Sequence, residues 1–169
     1  MSGRIHGLNW SNIIKVRHDA LKVIDLEHAF LDDGIIYECS DNDEDVDATK
    51  VYVMKGQGTP YHVCITAQSS AGAIWQLYEN PSVNSYGTGL PLWNRNRNSA
   101  DLSGNVFYKD STLNANGNLK YTVRIGGVFT GGSSTFECFI TKPGNDYALI
   151  VTSDAANNRI AVQLEMWVE

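Results

Sequence analysis

From Val51 onward the chain is divided into short runs in which apolar and polar residues alternate, each closed by a turn signal. Tyr61-His-Val-Cys-Ile-Thr66 and Ala73-Ile-Trp-Gln-Leu-Tyr-Glu79 show the pattern most clearly. A period of two over so few residues places alternate side chains on opposite faces of a half-buried strand. The same reading applies to Val51–Met54, Asn105–Lys109, Leu119–Ile125, Phe136–Thr141, Tyr147–Thr152 and Arg159–Val168. Gly56-Gln-Gly58, Gln68–Gly72, Asn80-Pro81, Asn114–Gly117, Lys142–Asp146 and Ala155–Asn158 punctuate them. Upstream, Lys22–His28 and Ile35–Cys39 read as two further strands joined through Asp32-Asp-Gly34. No segment gives an amphipathic helix of ordinary length, a tandem repeat or a heptad pattern. Many short strands at such intervals indicate an all-β sandwich or barrel. Val123, Ile125, Phe139, Leu149, Val151, Val162, Leu164 and Met166 are expected on the inner faces.

A chain of 169 residues is long enough for one such core, so a single domain over 21–169 is expected, preceded by a segment over 1–20. That segment carries Arg4, Lys15 and Arg17 against Asp19, includes Trp10, and keeps no period. It reads as an arm that orders on a partner, a frayed terminus, or a leader packed on its own domain. Between Val23 and Thr49 the charge reverses, with ten acidic residues and no Lys or Arg. Within it, Asp41-Asn-Asp-Glu-Asp-Val-Asp47 has the alternating carboxylates of a calcium loop. The position that needs Gly holds Val46, and the one that needs Glu holds Tyr52, which leaves a solvated acidic loop or an irregular calcium site.

The net charge of −6 argues against a nucleic-acid partner, which would require a basic footprint. No window approaches the roughly 20 apolar residues of a membrane span, so a soluble protein with no membrane partner is expected. Cys39, Cys64 and Cys138 are odd in number, widely spaced and without a CxxC pair. They read as reduced core thiols of a protein made in a cytoplasm.

The longest connection is Tyr86-Gly-Thr-Gly-Leu-Pro-Leu-Trp-Asn-Arg-Asn-Arg-Asn-Ser99. Leu90, Leu92 and Trp93 argue that it is ordered. Arg95 and Arg97 carry planar forks of donors, and the alternating asparagines donate and accept. The run therefore either grips a partner or ties up its own loop's backbone groups.

No metalloprotease, nucleophile-elbow, phosphate-loop or dinucleotide motif is present. His62 falls in a strand; His6, His18 and His28 lie at or before the first strands. Glu79, Glu137 and Glu165 sit in or beside strands at separations that sequence does not fix. No enzyme activity, cofactor or metal is expected. Trp75, Tyr78, Tyr86 and Trp93 either supply stacking faces for a sugar, or, in the case of Trp75 and Tyr78, form core and rim.

The segments Leu21–His28, Tyr61–Thr66, Trp75–Asn80, Gly87–Ser99 and Leu164–Glu169 together resemble a family of small structural proteins encoded among the virion genes of tailed bacteriophages. The similarity covers nearly all of the chain after Ala20, and the Gly87–Ser99 loop is its most specific part. Two departures are a missing histidine-rich continuation after His28 and Val168 in place of an aromatic after Trp167. The resemblance implies a two-sheet β-sandwich of jelly-roll type with an extended N-terminal arm. It implies a non-catalytic capsid decoration, or cement, protein synthesised in the host cytoplasm. Such a protein binds the outer capsid surface of the virion between subunits of the major capsid protein. A closed homo-oligomer, a homotrimer, accompanies that role. The candidate protein contacts are Arg4, Trp10, Arg17, Trp93, Arg95 and Arg97. A receptor- or glycan-binding jelly-roll module of a head or tail fibre is the alternative.

Overall fold

The structure, a computed structural model, describes residues 4–5, 8–9, 14–17, 20–23, 33–100, 106–127, 131–136 and 138–168. Two antiparallel pairs come first, β1 (Arg4–Ile5) with β2 (Leu8–Asn9), then β3 (Ile14–Arg17) with β4 (Ala20–Val23). Four long strands follow: β5 (Ile36–Val46), β6 (Thr49–Met54), β7 (Tyr61–Ser69) and β8 (Ala73–Glu79). An excursion then forms β9 (Ser82–Ser85), β10 (Thr88–Leu90), β11 (Trp93–Asn94), β12 (Phe107–Lys109) and β13 (Thr112–Ala115). The chain closes with β14 (Asn118–Ile125), β15 (Gly132–Thr135), β16 (Phe139–Ile140), β17 (Tyr147–Ser153) and β18 (Asn158–Val168).

Two six-stranded antiparallel sheets result, ordered β10-β12-β6-β17-β8-β14 and β11-β5-β18-β7-β15, with β16 also pairing β7. Setting the excursion aside, and counting β15 with β16 as one, the long strands along the chain number first to eighth. One sheet then reads first-eighth-third-sixth and the other second-seventh-fourth-fifth. That interleaving is the double Greek key of a jelly roll. The all-β two-sheet sandwich expected from strand spacing is therefore the fold.

The core lies between the sheets, where the alternation predicted it. Trp75, Tyr52, Phe107, Phe136, Leu149, Leu164 and Met166 are fully buried there. Burying each side chain of this size contributes about 1.5–3 kcal/mol. Ile125, Val151 and Val162 are buried as expected, and Val123 and Phe139 pack against the same cluster half-buried. The outer face of the β6–β17–β8 sheet is apolar as well. Val53, Ala148 and Ile150 form a second cluster there, joined by Val83 and Leu113 from the β9–β13 pair. The excursion thus covers one sheet from outside.

Three sequence readings are corrected. The Asp41–Asp47 stretch is no loop: β5 runs on to Val46, and Asp41 continues its inward-facing row after Tyr37 and Cys39. Charge did not break the strand because partners meet it from the facing strands. Tyr52 donates its hydroxyl to Asp41 Oδ2 at 3.0 Å, and Lys109 Nζ donates to Oδ1 at 2.7 Å. Lys50, itself buried, pairs with Asp43 and lies 3.2 Å from Asp110 and 3.6 Å from Asp41. Among the described residues no cluster of three or more His, Cys, Asp or Glu is placed to hold a metal.

Second, the run read as one strand over Phe136–Thr141 is interrupted. Five residues from Thr135 to Phe139 oppose four from Thr66 back to Val63, so the β15–β16 strand carries one extra residue, as in a bulge. Third, only one cysteine is free. The register of Phe139 on Val63 places Cys138 opposite Cys64, and the two form a disulfide with Cα atoms 4.3 Å apart. That spacing matches directly opposed residues in a pair that shares no hydrogen bonds, about 4.5 Å apart. Cys39 is the buried free thiol.

Candidate functional site

Side chains of residues opposed across a ladder share one face of a sheet. In the β11-β5-β18-β7 sheet, one outward row runs Trp93, Glu38, Glu165 and Cys64, then to Cys138 through the disulfide. The next runs Ile36, Trp167, His62 and Ile140. Beyond the first row lie Ser40, Gln163 and Thr66, then Asn42, Ala161 and Gln68. Trp93 is 39% exposed and Ile140 52%, and the His62 and Trp167 rings stack at 5.1 Å and 12°. This outer face therefore carries an aromatic and aliphatic end that grades into hydroxyls and amides. It contrasts with the other sheet, whose outer face is packed under β9 and β13.

The Tyr86–Ser99 loop supplies one border of that face. β11 is only two residues long, yet Asn94 is completely buried and holds the surrounding chain. Its Nδ2 donates to the Gly34 carbonyl at 2.7 Å and to the Ala100 carbonyl at 3.2 Å, while its Oδ1 accepts from the Asn96 N–H at 2.8 Å. Asn96 repeats the motif, accepting from the Asn98 N–H at 3.0 Å, and its carbonyl accepts from the Ser99 N–H at 2.9 Å. Alternating asparagines thus satisfy a long loop's backbone groups, each one folding the chain two residues on. Gly34 is required where the loop closes. Its φ is +70°, and a Cβ there would overlap the Ser99 hydroxyl.

The arginines brace this frame. Arg95 donates its N–H to the Ile36 carbonyl at 2.9 Å and its Nη1 to Glu165 Oε2 at 2.9 Å, reaching across β5 to β18. Arg97 Nη1 donates to the Asn94 carbonyl at 3.3 Å, and its guanidinium lies 5.7 Å from the centre of the Trp93 ring. That cation–π contact fixes the indole's orientation while leaving it in solvent. Of the six predicted contact residues, Trp93, Arg95 and Arg97 come together here. Arg4 and Arg17 fall in β1 and β3, and Trp10 lies outside the described residues.

The proposed sugar platform does not assemble. Trp75 is fully buried in the inter-sheet core, and Tyr78 joins the second cluster on the far sheet. Tyr86 donates its hydroxyl to Asp146 Oδ2 at 2.7 Å and packs on Tyr108 at 5.1 Å. Sequence reasoning missed Trp167 and His62 as partners of Trp93's face. Their alternation in strands was legible, but only the register sets them side by side.

A second cluster lies at the inner mouth between β8 and β14. The Glu79 carboxylate, 4% exposed, accepts from Lys120 at 2.7 Å on one oxygen, and from Lys142 at 2.7 Å and Asn145 at 3.1 Å on the other. The hydrogen bonds from Lys120 and then Lys142 hold its pKa down at about 2.

No protein-family model and no curated protein matches the chain. Among solved structures, a chain of broad bean stain virus superposes with a TM-score of 0.27 at 6% identity, covering 80% of this chain and 84% of that one. A chain of black queen cell virus gives 0.21 at 11%, covering 83% and 63%, and one of Israeli acute paralysis virus 0.17 at 8%, covering 92% and 53%. These are weak similarities to chains of virus particles, and the jelly-roll assignment rests on the strand order.

Proposed function

We propose that this chain is a structural protein of a tailed-bacteriophage virion, a decoration protein that docks on the outside of the head between major capsid subunits and stabilises it. The observation that carries the reading is the asymmetry of the two outer faces. One is covered by the chain's own excursion, while the other presents Trp93, Trp167 and Ile140 from a braced frame. Exposed aromatics held rigid by neighbours lose little conformational freedom on docking, and such residues dominate protein–protein affinity. A protein that binds the assembled lattice and not free subunits stabilises the lattice by mass action. In this role the chain acts by contact and performs no catalysis, and neither nucleic acid nor membrane is its partner. Copies around a local symmetry axis form a homotrimer.

The test is co-sedimentation with capsids that lack the protein, together with the temperature at which those capsids release DNA. Wild type is expected to bind and raise that temperature. Trp93→Ala is expected to weaken binding by about 2 kcal/mol, close to 30-fold, with a change in its own stability within about 0.5 kcal/mol. Removing Met1 to Asn12 is expected to weaken binding far more than it lowers the domain's melting temperature. Unaltered binding by Trp93→Ala rules out this face.

A second reading, a receptor- or glycan-binding module, draws on the polar end of the same face. Ser40, Asn42, Thr66, Gln68 and Gln163 line a hollow of about 240 Å³ there. A glycan-array signal that disappears with Gln68→Ala favours it over capsid docking.

A further inference from the structure

Between the sheets, where the outermost strands β14 and β16 face each other, the core opens into a cavity of about 340 Å³. Its walls are Leu77, Tyr121, Phe136, Phe139 and Tyr147, and Glu79, Lys120 and Lys142 stand at its polar side. The cavity reaches the end of the outward rows of the β11-β5-β18-β7 sheet at its rim, where Cys138 and Ile140 border it, but its body is inter-sheet: Leu77, Phe136, Phe139 and Tyr147 belong to or pack against the core cluster. Taking about 30 Å³ per small heavy-atom group, as for a water molecule, it accommodates about eleven non-hydrogen atoms. That lies at the lower end of small-molecule sites, which are mostly apolar with a few convergent polar groups.

The polar groups select the sign of the ligand's charge. Both oxygens of Glu79 are occupied, one by Lys120 and the other by Lys142 and Asn145, so the carboxylate has little left for an incoming cation. Each ammonium has three protons and donates one of them to Glu79. The two lysine side chains are 46% and 66% exposed, so their heads stand at the solvent side. Two cations around one carboxylate leave a local charge of +1 in a chain whose net charge is −6.

We infer that this inter-sheet mouth is a binding site for a small amphipathic monocarboxylate. The apolar body lies against Leu77, Phe136 and Phe139, and the carboxylate accepts hydrogen bonds from Lys120 and Lys142. The inference does not rest on the capsid-docking reading: Ile140 borders both places, but the groups that hold the probe, Leu77, Phe136, Phe139, Lys120 and Lys142, are none of the docking residues.

Octanoate, with about ten non-hydrogen atoms, is the probe, and octan-1-ol is its neutral counterpart. Titration of the isotope-labelled full chain, followed by NMR, is expected to shift the Leu77 methyls and the Phe139 ring saturably. A Kd of about 1 mM or tighter is expected for octanoate, and binding at least roughly tenfold weaker for octan-1-ol. Lys120→Gln and Lys142→Gln, both at exposed positions, are each expected to weaken octanoate about fivefold and leave octan-1-ol unchanged, with the remaining spectrum native. Equal affinity for acid and alcohol overturns the inference, as does a native spectrum with no Leu77 shift at about 10 mM octanoate. Octanoate affinity unaltered in both lysine variants also overturns it.

Discussion

The Cys64–Cys138 disulfide makes a quantitative prediction, because it closes a loop of 74 residues. In the chain-entropy account the crosslink removes about 2.1 + 1.5R ln n cal/mol/K from the unfolded ensemble. For this loop that is about 15 cal/mol/K, or about 4.4 kcal/mol at 25 °C. The closure spans β7 to β16 and so encloses β8 through β15, half the sandwich. For a domain of this size each kcal/mol corresponds to about 2–4 °C, so the Cys64→Ser/Cys138→Ser variant is expected to melt about 9–18 °C below wild type. Its urea midpoint is expected to fall with a larger m-value, since the unfolded chain is released from a constraint. Thiol counting tests the pairing independently. Burial, and then the neighbouring charges of Glu38 and Asp41, push the Cys39 thiol up to about 12. Air-oxidised native protein should therefore show no reactive thiol at neutral pH, one after unfolding, and three after unfolding with reductant. Three thiols on unfolding without reductant, or a double variant that melts with wild type, would refute the reasoning.

Asn94→Ala removes the hub of the Tyr86–Ser99 loop and leaves the Gly34 and Ala100 carbonyls and the Asn96 N–H short of a partner. A loss of about 2–4 kcal/mol is expected from urea unfolding, with faster amide exchange at Asn96 and Asn98. Glu79 has a folded pKa below its unfolded value, so its contribution is present above the unfolded pKa and lost as pH falls toward about 2. Glu79→Gln is expected to cost about 1–3 kcal/mol at pH 7 and to flatten the acid limb of the stability curve. A variant curve parallel to wild type between pH 5 and about 2 would refute this assignment. For Lys50, burial disfavours the ammonium, but hydrogen bonds to Asp43 and Asp110 outweigh it and the net pKa is raised. The Lys50 hydrogen bond in turn lowers the pKa of Asp43. Lys50→Ala leaves Asp41 to Lys109 and Tyr52 alone, with an expected loss of about 3–5 kcal/mol at pH 7 by denaturant titration.

The strands legible in the sequence are those whose one face is core and whose other face is not. In β7 and β8, Val63, Ile65, Trp75 and Leu77 alternate with polar or smaller residues, and the structure buries that row. The alternating runs Tyr147–Thr152 and Arg159–Val168 fall within a residue of the bounds of β17 and β18 for the same reason. What failed to show were strands made by their partners. Gly132-Ser-Ser-Thr135 has no apolar residue, and it is a strand because Ala67 to Ser69 and Thr66 offer it a ladder. β9 and β13 hold each other across two register shifts while Val83 and Leu113 cover Ala148 and Ile150. The acidic half of β5 was hidden by its charge, since nothing local announces that Lys50, Tyr52 and Lys109 will meet it.

The same distinction explains the candidate face. Composition identified the Tyr86–Ser99 loop, because a tryptophan among alternating asparagines and arginines is rare enough to mark a built segment. Which way its residues point followed from pairing: Trp93 opposes Glu38, Glu38 opposes Glu165, and Arg95 then reaches Glu165 across β5. Trp167 and His62 enter the face through the neighbouring row of the same register. A one-residue slip of β18 against β5 would turn Trp167 inward and bring Met166 out, dissolving both the face and the core at once. Register is therefore specified by burial of Met166 and Leu164, and the outward aromatics occupy their positions as a consequence of that inner packing. Substituting Trp93 should accordingly alter docking and leave folding intact, whereas substituting Leu164 should abolish both.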